Sequence, residues 1–265
     1  RTDDHGHGTM VAATLLNIAP GCEIIGLNDT FNDAVTNLEM ALDAAPDIIC
    51  CSWGYDVDNQ SQRELERQNP NGFMQLVEME NLITTAVQEL GIPFIFAGGN
   101  GERVFPACIP EVLSIGGVYF DEDQLASASN ATSSFESQLY PGRFVPDLCG
   151  ISGNDFPNDG HILLPVPSGA TLEGMNMPND LMEVGWCINS ASSIAAPQVA
   201  GIIALLLELD NNLSPETIRS ILLSSCTPIV QGHSKMNDSP KLSTGGGLVN
   251  AFRAFETASA LVSHQ

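Results

Sequence analysis

The hydrophobic positions of this chain fall into short uniform runs that alternate with longer segments of helical spacing. Runs of strand length lie at residues 22–27, 47–52, 92–97 and 112–118, and helical spacing covers residues 32–45 and 74–90. Strands that are apolar at every position are buried on both faces, as in parallel sheets, and their alternation with helices indicates crossover connections. We therefore predict an α/β fold, a three-layer sandwich with a mostly parallel central sheet flanked by helices.

Two segments interrupt this pattern. Residues 56–71 are polar, and residues 147–184 are rich in Gly, Pro and Asn with little periodicity. Connections of that length without their own pattern are surface excursions, so we predict a single domain over residues 1–265 with both segments as surface insertions. Three further helices are predicted: residues 193–209, a helix capped by Ser214 with Pro215 at its first position, and residues 248–262.

The charge of the chain is strongly acidic. Nine Lys and Arg residues stand against 32 Asp and Glu residues, which gives a formal charge of −23. Nucleic acid and anionic membrane surfaces would repel such a protein, so both are excluded as partners. Hydrophobic residues make up 43% of the chain and charged residues only 15%, a balance typical of a globular domain and not of a disordered one.

Seven cysteines are present, an odd number without any Cys-x-x-Cys spacing. A disulfide framework or a zinc site is therefore not expected, and we predict free, mostly buried thiols and no metal site. Cys50 and Cys51 are neighbours inside an apolar run, where they act as small hydrophobic residues.

Three short segments carry candidate chemistry. His7 precedes Gly-Thr at the start of a helical pattern, Asn100 follows an apolar strand, and Ser193 begins the long apolar helix. Taken singly, His7 and Ser193 can be helix caps and Asn100 a left-handed turn residue. Ser193 can equally be a nucleophile, because backbone N–H groups at a helix start face a developing oxyanion.

Together these segments resemble the subtilase family, the subtilisin-like serine proteases. The segment that begins at His7 matches His-Gly-Thr-x-Val-Ala, and the one that begins at Ser193 matches Ser-x-Ala-x-Pro-x-Val-Ala-Gly. The order His, Asn, Ser also agrees with the family. The resemblance implies a serine endopeptidase with Ser193 as the nucleophile, His7 as the general base and Asn100 in the oxyanion hole.

The resemblance also implies where a peptide or protein substrate binds. The end of the second strand looks like the family's edge that pairs with an extended substrate. Two glycines before Asn100 leave room for the side chain that precedes the scissile bond. The expected substrate-binding residues are Ser52, Trp53, Gly54, Gly98 and Gly99.

The acid of the triad is the main departure from the family. In subtilases an Asp at the end of an early strand precedes the His by a long interval, whereas six residues precede His7. Asp3 and Asp4 are too close in sequence to be that residue. Three alternatives stay open: an upstream segment carries the first strand and the Asp, a second polypeptide supplies it, or the chain is a catalytically impaired peptide-binding module.

Smaller departures concern the nucleophile, calcium and the compartment. Ala191 and Ser192 replace the Gly and Thr that usually precede the nucleophile. Family members often bind calcium, but the acidic loops near residues 121–123 and 154–160 have no recognisable ligand spacing, so we expect no cofactor. Most subtilases are secreted, whereas the cysteine content favours a reducing compartment, and the sequence leaves the localisation open.

Overall fold

The computed structural model describes residues 3–27, 33–155, 160–178 and 185–263. The strands in this part of the chain are β1 (Ile49–Cys51), β2 (Tyr55–Asp56), β3 (Phe94–Ala97), β4 (Val104–Phe105), β5 (Leu113–Phe120), β6 (Ala126–Ala128), β7 (Phe135–Glu136), β8 (Phe144–Val145), β9 (Leu148–Ile151), β10 (Ile162–Pro165) and β11 (Trp186–Asn189). The helices are α1 (His7–Ile18), α2 (Ala34–Asp43), α3 (Gln62–Gln68), α4 (Pro70–Gln88), α5 (Ser192–Leu209), α6 (Pro215–Ser225), α7 (Pro240–Thr244) and α8 (Ala251–Val262).

The central sheet has the order β1-β3-β5-β6, and β9 also pairs with β5. All its pairs are parallel except β5 with β6, so the sheet is mostly parallel as predicted. Three small two-stranded sheets, β2 with β4, β7 with β8 and β10 with β11, lie outside it and are antiparallel.

Strand β3 shows why the molecule has three layers. Phe94 and Phe96 face a core formed with α2 and α4. Ile95 and Ala97 face the opposite core, which is formed with α5, α6 and α8. Because successive side chains of a strand point to opposite faces, a strand that is apolar throughout must be covered on both sides. The predicted three-layer sandwich is confirmed.

Helix α5 lies at the centre of the second core. It is long and apolar enough to cross a membrane, but 67% of its residues are buried inside the protein, as expected of a core helix. Helix α1 packs on α5 where Gly201 has no side chain. A Cβ at Gly201 would lie 2.8 Å from Cβ of Ile18 and 3.1 Å from the carbonyl oxygen of Leu15. The glycine therefore allows the two helices to approach closely.

The strand predicted over residues 22–27 is not present. This segment pairs with none of the described strands, and Ile24, Ile25 and Leu27 are 39%, 57% and 41% exposed. An apolar run becomes a strand only where a neighbour satisfies its backbone groups. Strand β1 is the outer strand of the sheet at that end in the described residues, and its second edge has no described partner.

The segment over residues 56–71 is less exposed than expected. Val57 is buried, α3 carries a capping box between Ser61 and Glu64, and Asn69 caps α4. The Ser-x-x-Glu spacing and the Asn-Pro pair are helix-start signals that the polar composition hid.

The segment over residues 147–184 also contributes to the core. Its first part is β9, where Leu148 and Cys149 are buried, and β10 pairs with β11 just before α5. Residues 156–159 and 179–184 lie outside the described part of the chain.

Strand β9 is hard to recognise because Gly150 interrupts its apolar run. A Cβ at Gly150 would lie 2.7 Å from the carbonyl oxygen of Ala195, so β9 can pass under α5 only with glycine there.

Two of the nine basic residues converge on one carboxylate. Arg143 binds Asp147 with two parallel hydrogen bonds of 2.6 and 2.7 Å, and Arg219 binds it at 2.9 Å. Ser114 donates its backbone N–H to the same carboxylate at 2.7 Å. This network ties the start of β5 to α6.

All seven cysteines are free thiols in the structure. Burial raises the pKa of Cys50 to about 12 and that of Cys108 to about 11. These side chains are therefore protonated and unreactive at neutral pH, as small buried hydrophobic residues are.

Candidate active site

Ser193 is the second residue of α5, and it lies at the end of the sheet where β1 and β3 finish. The residue before the helix, Ala191, has φ −168° and ψ 158°, an extended conformation that any residue adopts. Alanine in place of the family's glycine is therefore accommodated without backbone strain. Ser193 is 7% exposed, so its hydroxyl group is largely shielded from water.

Pro197 gives Ser193 an unusual backbone environment. Pro197 is the sixth residue of α5 and therefore lies beyond its first turn. A proline cannot donate to the carbonyl four residues earlier, which is that of Ser193. The Ser52 hydroxyl group donates to this carbonyl at 3.1 Å instead. In return, the hydroxyl group of Ser193 donates to the carbonyl of Ser52 at 3.3 Å.

Asn100 is locked to the start of α5 by its amide oxygen. Oδ1 accepts the backbone N–H of Ser192 at 2.8 Å and the Ser192 hydroxyl at 3.0 Å. The same hydroxyl accepts the N–H of Gly99 at 3.2 Å. Because these bonds fix the side chain through its oxygen, the Nδ2 group is the end that can donate to a ligand. Ser192, a departure from the family's Thr, supplies the hydroxyl needed here.

His7 begins α1, and Asp3 holds that helix start. The carboxylate of Asp3 accepts the N–H of Gly6 at 2.9 Å and the N–H and hydroxyl of Thr9 at 2.7 and 2.8 Å. Burial raises the pKa of Asp3, but these hydrogen bonds together outweigh it and lower the pKa below its usual value. The carboxylate of Asp3 thus caps the start of α1.

A buried cluster connects the start of α1 to the start of α5. Met10, one turn after His7, packs in a cluster with Ala191 and Ile194, which flank Ser193. Strands β10 and β11 contribute Leu164 and Cys187 to the same cluster. The fold therefore brings the helix start that carries His7 to the helix start that carries Ser193.

Residues 169–173, which follow β10, form a strap beside His7, and the sequence did not suggest it. Thr171 and Leu172 donate their N–H groups to the carbonyls of Asp4 at 2.9 Å and His5 at 3.0 Å. Glu173 holds the strap closed by accepting the N–H groups of Gly169 and Gly185, both at 2.7 Å. These hydrogen bonds lower the pKa of Glu173. No periodicity or motif marks the strap, because its contacts to Asp4 and His5 are made mainly by backbone groups.

The substrate-binding residues expected from the sequence also lie at this end of the sheet. Ser52, Trp53 and Gly54 follow β1, and Gly98 and Gly99 follow the neighbouring parallel strand β3. The carboxyl ends of parallel strands meet at one edge, where ligands bind in open α/β sheets. Trp53 packs edge-on against Phe96, with ring centroids 5.5 Å apart, and this contact fixes the segment on the core.

The acidic loops are engaged in local contacts. Asp155 forms an ion pair of 3.2 Å with Lys235, and Asp121 accepts the N–H of Leu125 at 2.8 Å. Within the described residues, no three His, Cys, Asp or Glu side chains gather as a metal site requires. Residues 158–159 lie outside that part of the chain.

Solved structures with this fold include proteases. A solved lanthipeptide protease superposes with a TM-score of 0.69 at 18% identity, and the match covers 95% of this chain and 75% of that one. Fervidolysin from Fervidobacterium pennivorans, a keratinolytic enzyme related to subtilisin, superposes with a TM-score of 0.63 at 17% identity. The match covers 96% of this chain and 36% of the fervidolysin chain. These likenesses define the class of fold, which is subtilisin-like.

Residues 1–250 match the family model of the subtilase family. The chain belongs to the subtilase family, and hence to the serine-type endopeptidases at the level of the family. Its relatives include bacillopeptidase F of Bacillus subtilis, 25% identical over 95% of this chain and 17% of that protein. Human proprotein convertase subtilisin/kexin type 6 is 27% identical over 96% of this chain and 25% of that protein. The chain thus spans about a quarter or less of the length of these two relatives.

The pairing of Ser52 with Ser193 predicts an energetic coupling to Pro197. Replacing Ser52 with Ala leaves the buried carbonyl of Ser193 without its donor and should cost about 1–3 kcal/mol in the free energy of unfolding. In a Pro197→Ala background the residue 197 N–H can donate to that carbonyl, so S52A should cost much less there. Urea unfolding of the four proteins completes the double-mutant cycle. Equal costs of S52A in both backgrounds would refute the coupling.

The capping contacts of Asp3 predict a pH-dependent contribution to stability. At pH 6, Asp3→Ala should lower the free energy of unfolding by about 1–2 kcal/mol. Because the folded pKa is lowered from 3.8, the ionised cap is fully stabilising above that value and loses its effect as the pH falls through the folded pKa. The difference between the two proteins should therefore shrink at acidic pH. Asp4→Ala, at an exposed neighbouring position, is the control, and a cost for D3A that does not change with pH contradicts the assignment.

Proposed function

We propose that this protein is a serine endopeptidase that hydrolyses peptide bonds through an acyl-enzyme on Ser193. The observation that carries the proposal is the arrangement of Asn100 and Ser193. The amide oxygen of Asn100 is bonded to Ser192, so its Nδ2 is left as a donor beside the next residue, Ser193. A fixed amide donor beside a serine at a helix start is an arrangement suited to stabilising an oxyanion.

In the proposed reaction, Ser193 Oγ attacks the carbonyl carbon of the scissile bond while His7 accepts its proton. The negative charge that develops on the carbonyl oxygen is held by the Nδ2 group of Asn100 and the N–H of Ser193. The positive end of the α5 dipole adds to this stabilisation. His7 then donates the proton to the leaving amine, and water attacks the acyl-enzyme by the reverse route. Side chains, the backbone at the start of α5 and water supply every group, so the reaction needs no cofactor.

The substrate binds as an added strand beside Ser52, Trp53 and Gly54. An N–H of the bound peptide replaces the hydroxyl of Ser193 as the donor to the carbonyl of Ser52. The exchange releases the hydroxyl for attack, so productive binding and activation of the nucleophile are coupled.

We infer that the triad acid arrives on a strand that pairs with the open edge of β1, from an upstream segment or from a second chain. Ile49 donates to the carbonyl of Pro93 on the β3 side, so the N–H of Cys50 faces the other edge. A parallel strand added there would end near Ser52, beside the site. Exposed Ile24, Ile25 and Leu27 are available to cover such a strand.

The nucleophile is tested by labelling the full-length protein with a fluorophosphonate probe. Ser193 should be modified, Ser193→Ala should not react, and Ser190→Ala, three residues earlier, should react normally. Asn100→Ala should lower kcat on casein by about 10²- to 10³-fold. If the wild-type protein is neither labelled nor cleaves casein, the protease proposal is wrong and the impaired peptide-binding module is favoured.

The added strand is tested by hydrogen exchange of the full-length protein, measured by NMR. The amide hydrogen of Cys50 should exchange slowly because it is bonded to the added strand. The amide of Ile49, already bonded to Pro93, is the internal reference for a protected strand position. Exchange of the Cys50 amide as fast as that of exposed Asp123 would show that no strand is added.

A further inference from the structure

Val104 lies between two segments of the expected cleft, of which the first carries Gly54 and the second carries Gly99. A Cβ at Gly54 would lie 2.6 Å from Cγ1 of Val104, and a Cβ at Gly99 would lie 2.5 Å from its Cγ2. One methyl group therefore packs on each glycine. Val104 is only 6% exposed, so the rest of its side chain is enclosed by the protein.

The backbone around Val104 is fixed to the first of these segments. Strand β4 pairs with β2, which directly follows Gly54, and Val104 is in register with Asp56. Val57 donates its N–H to the carbonyl of Arg103 at 2.9 Å. The position of the two methyl groups is thus set by the same small sheet that continues the substrate-binding strand.

The second segment is fixed as well. Ser133 donates its N–H to the carbonyl of Gly99 at 2.8 Å, and its hydroxyl accepts the N–H of Gly101 at 2.7 Å. The Ser133 hydroxyl would lie 2.9 Å from a Cβ at Gly99. The two segments cannot move away from Val104 without breaking the hydrogen bonds that Val57 and Ser133 make.

We propose that Val104 closes the floor of the pocket for the residue that precedes the scissile bond, and so restricts that residue to Gly, Ala or Ser. The inference rests on the proposed function, in which the peptide lies between these segments and is acylated on Ser193. The methyl groups of Val104 occupy the volume that side chains at positions 54 and 99 would fill, so little room is left there for a large substrate side chain. An apolar floor also gives a basic or acidic side chain no partner for its charge.

The restriction predicts the outcome of removing the two methyl groups. In the full-length protein, wild type should cleave peptides after Ala in preference to Leu or Phe. Val104→Ala should raise the ratio of kcat/KM for Phe over Ala by about 10- to 200-fold, the range for a change of this size in an apolar pocket. Val118→Ala removes the same atoms from a buried position in a different core cluster and should leave the ratio unchanged.

A binding measurement separates this inference from the proposed reaction. Peptides that end in Ala or in Phe are titrated calorimetrically into wild type, V104A and V118A, which requires no catalysis. Wild type should bind the Ala peptide more tightly, and V104A should reverse or abolish the preference. If wild type accepts Phe as well as Ala, or if folded V104A keeps the wild-type preference, Val104 does not set the specificity. Failure of Ser193 to react with the probe counts against the reaction alone.

Discussion

Enclosure of α5 is the constraint on which the remaining structure depends. Twelve of its residues are buried, and they point in several directions, so the helix must be surrounded on most of its circumference. The parallel sheet covers one side, and α1 and α8 cover others. Its first turn is thereby held against the carboxyl ends of β1 and β3. The chemistry of the cleft is a consequence of this placement, because Ser193 is carried to the strand ends by a helix that cannot lie elsewhere.

Polar contacts then fix the helix start with greater precision than apolar packing could. The carbonyl that Pro197 leaves without an intrahelical donor is bonded to Ser52, and the N–H of Ser192 is bonded to Asn100. Each contact satisfies a group that would be costly to bury alone. Each also joins α5 to the end of a different strand. The groups that complete the helix end are the groups that shape the site.

The sequence was sufficient for the layers, for most helices and strands, and for the family. Uniform apolar runs predicted β1, β3 and β5, and three motifs in order predicted the subtilase class. The sequence was insufficient where the structure of a segment depends on the neighbouring segments that contact it. Ile24 and Ile25 have the composition of a strand but no described neighbour to pair with. Strand β9 was missed because Gly150 is required by the close approach of α5. The strap near Thr171 is joined to Asp4 and His5 mainly by backbone groups, which leave no pattern in the residue types.

The close contact at Gly201 fixes the last turn of α1 on α5. This helix rests on α5 near its last turn, where Gly201 meets Leu15 and Ile18, and it carries His7 at its first residue. A helix is stiff over three turns, so a shift at one end is transmitted to the other as a rotation about the packed contact. Substitutions at position 201 would therefore alter the distance between His7 and Ser193, although Gly201 itself follows Ser193 by two turns of α5. Variation there can adjust the spacing of the two helix starts while every side chain in the cleft stays the same.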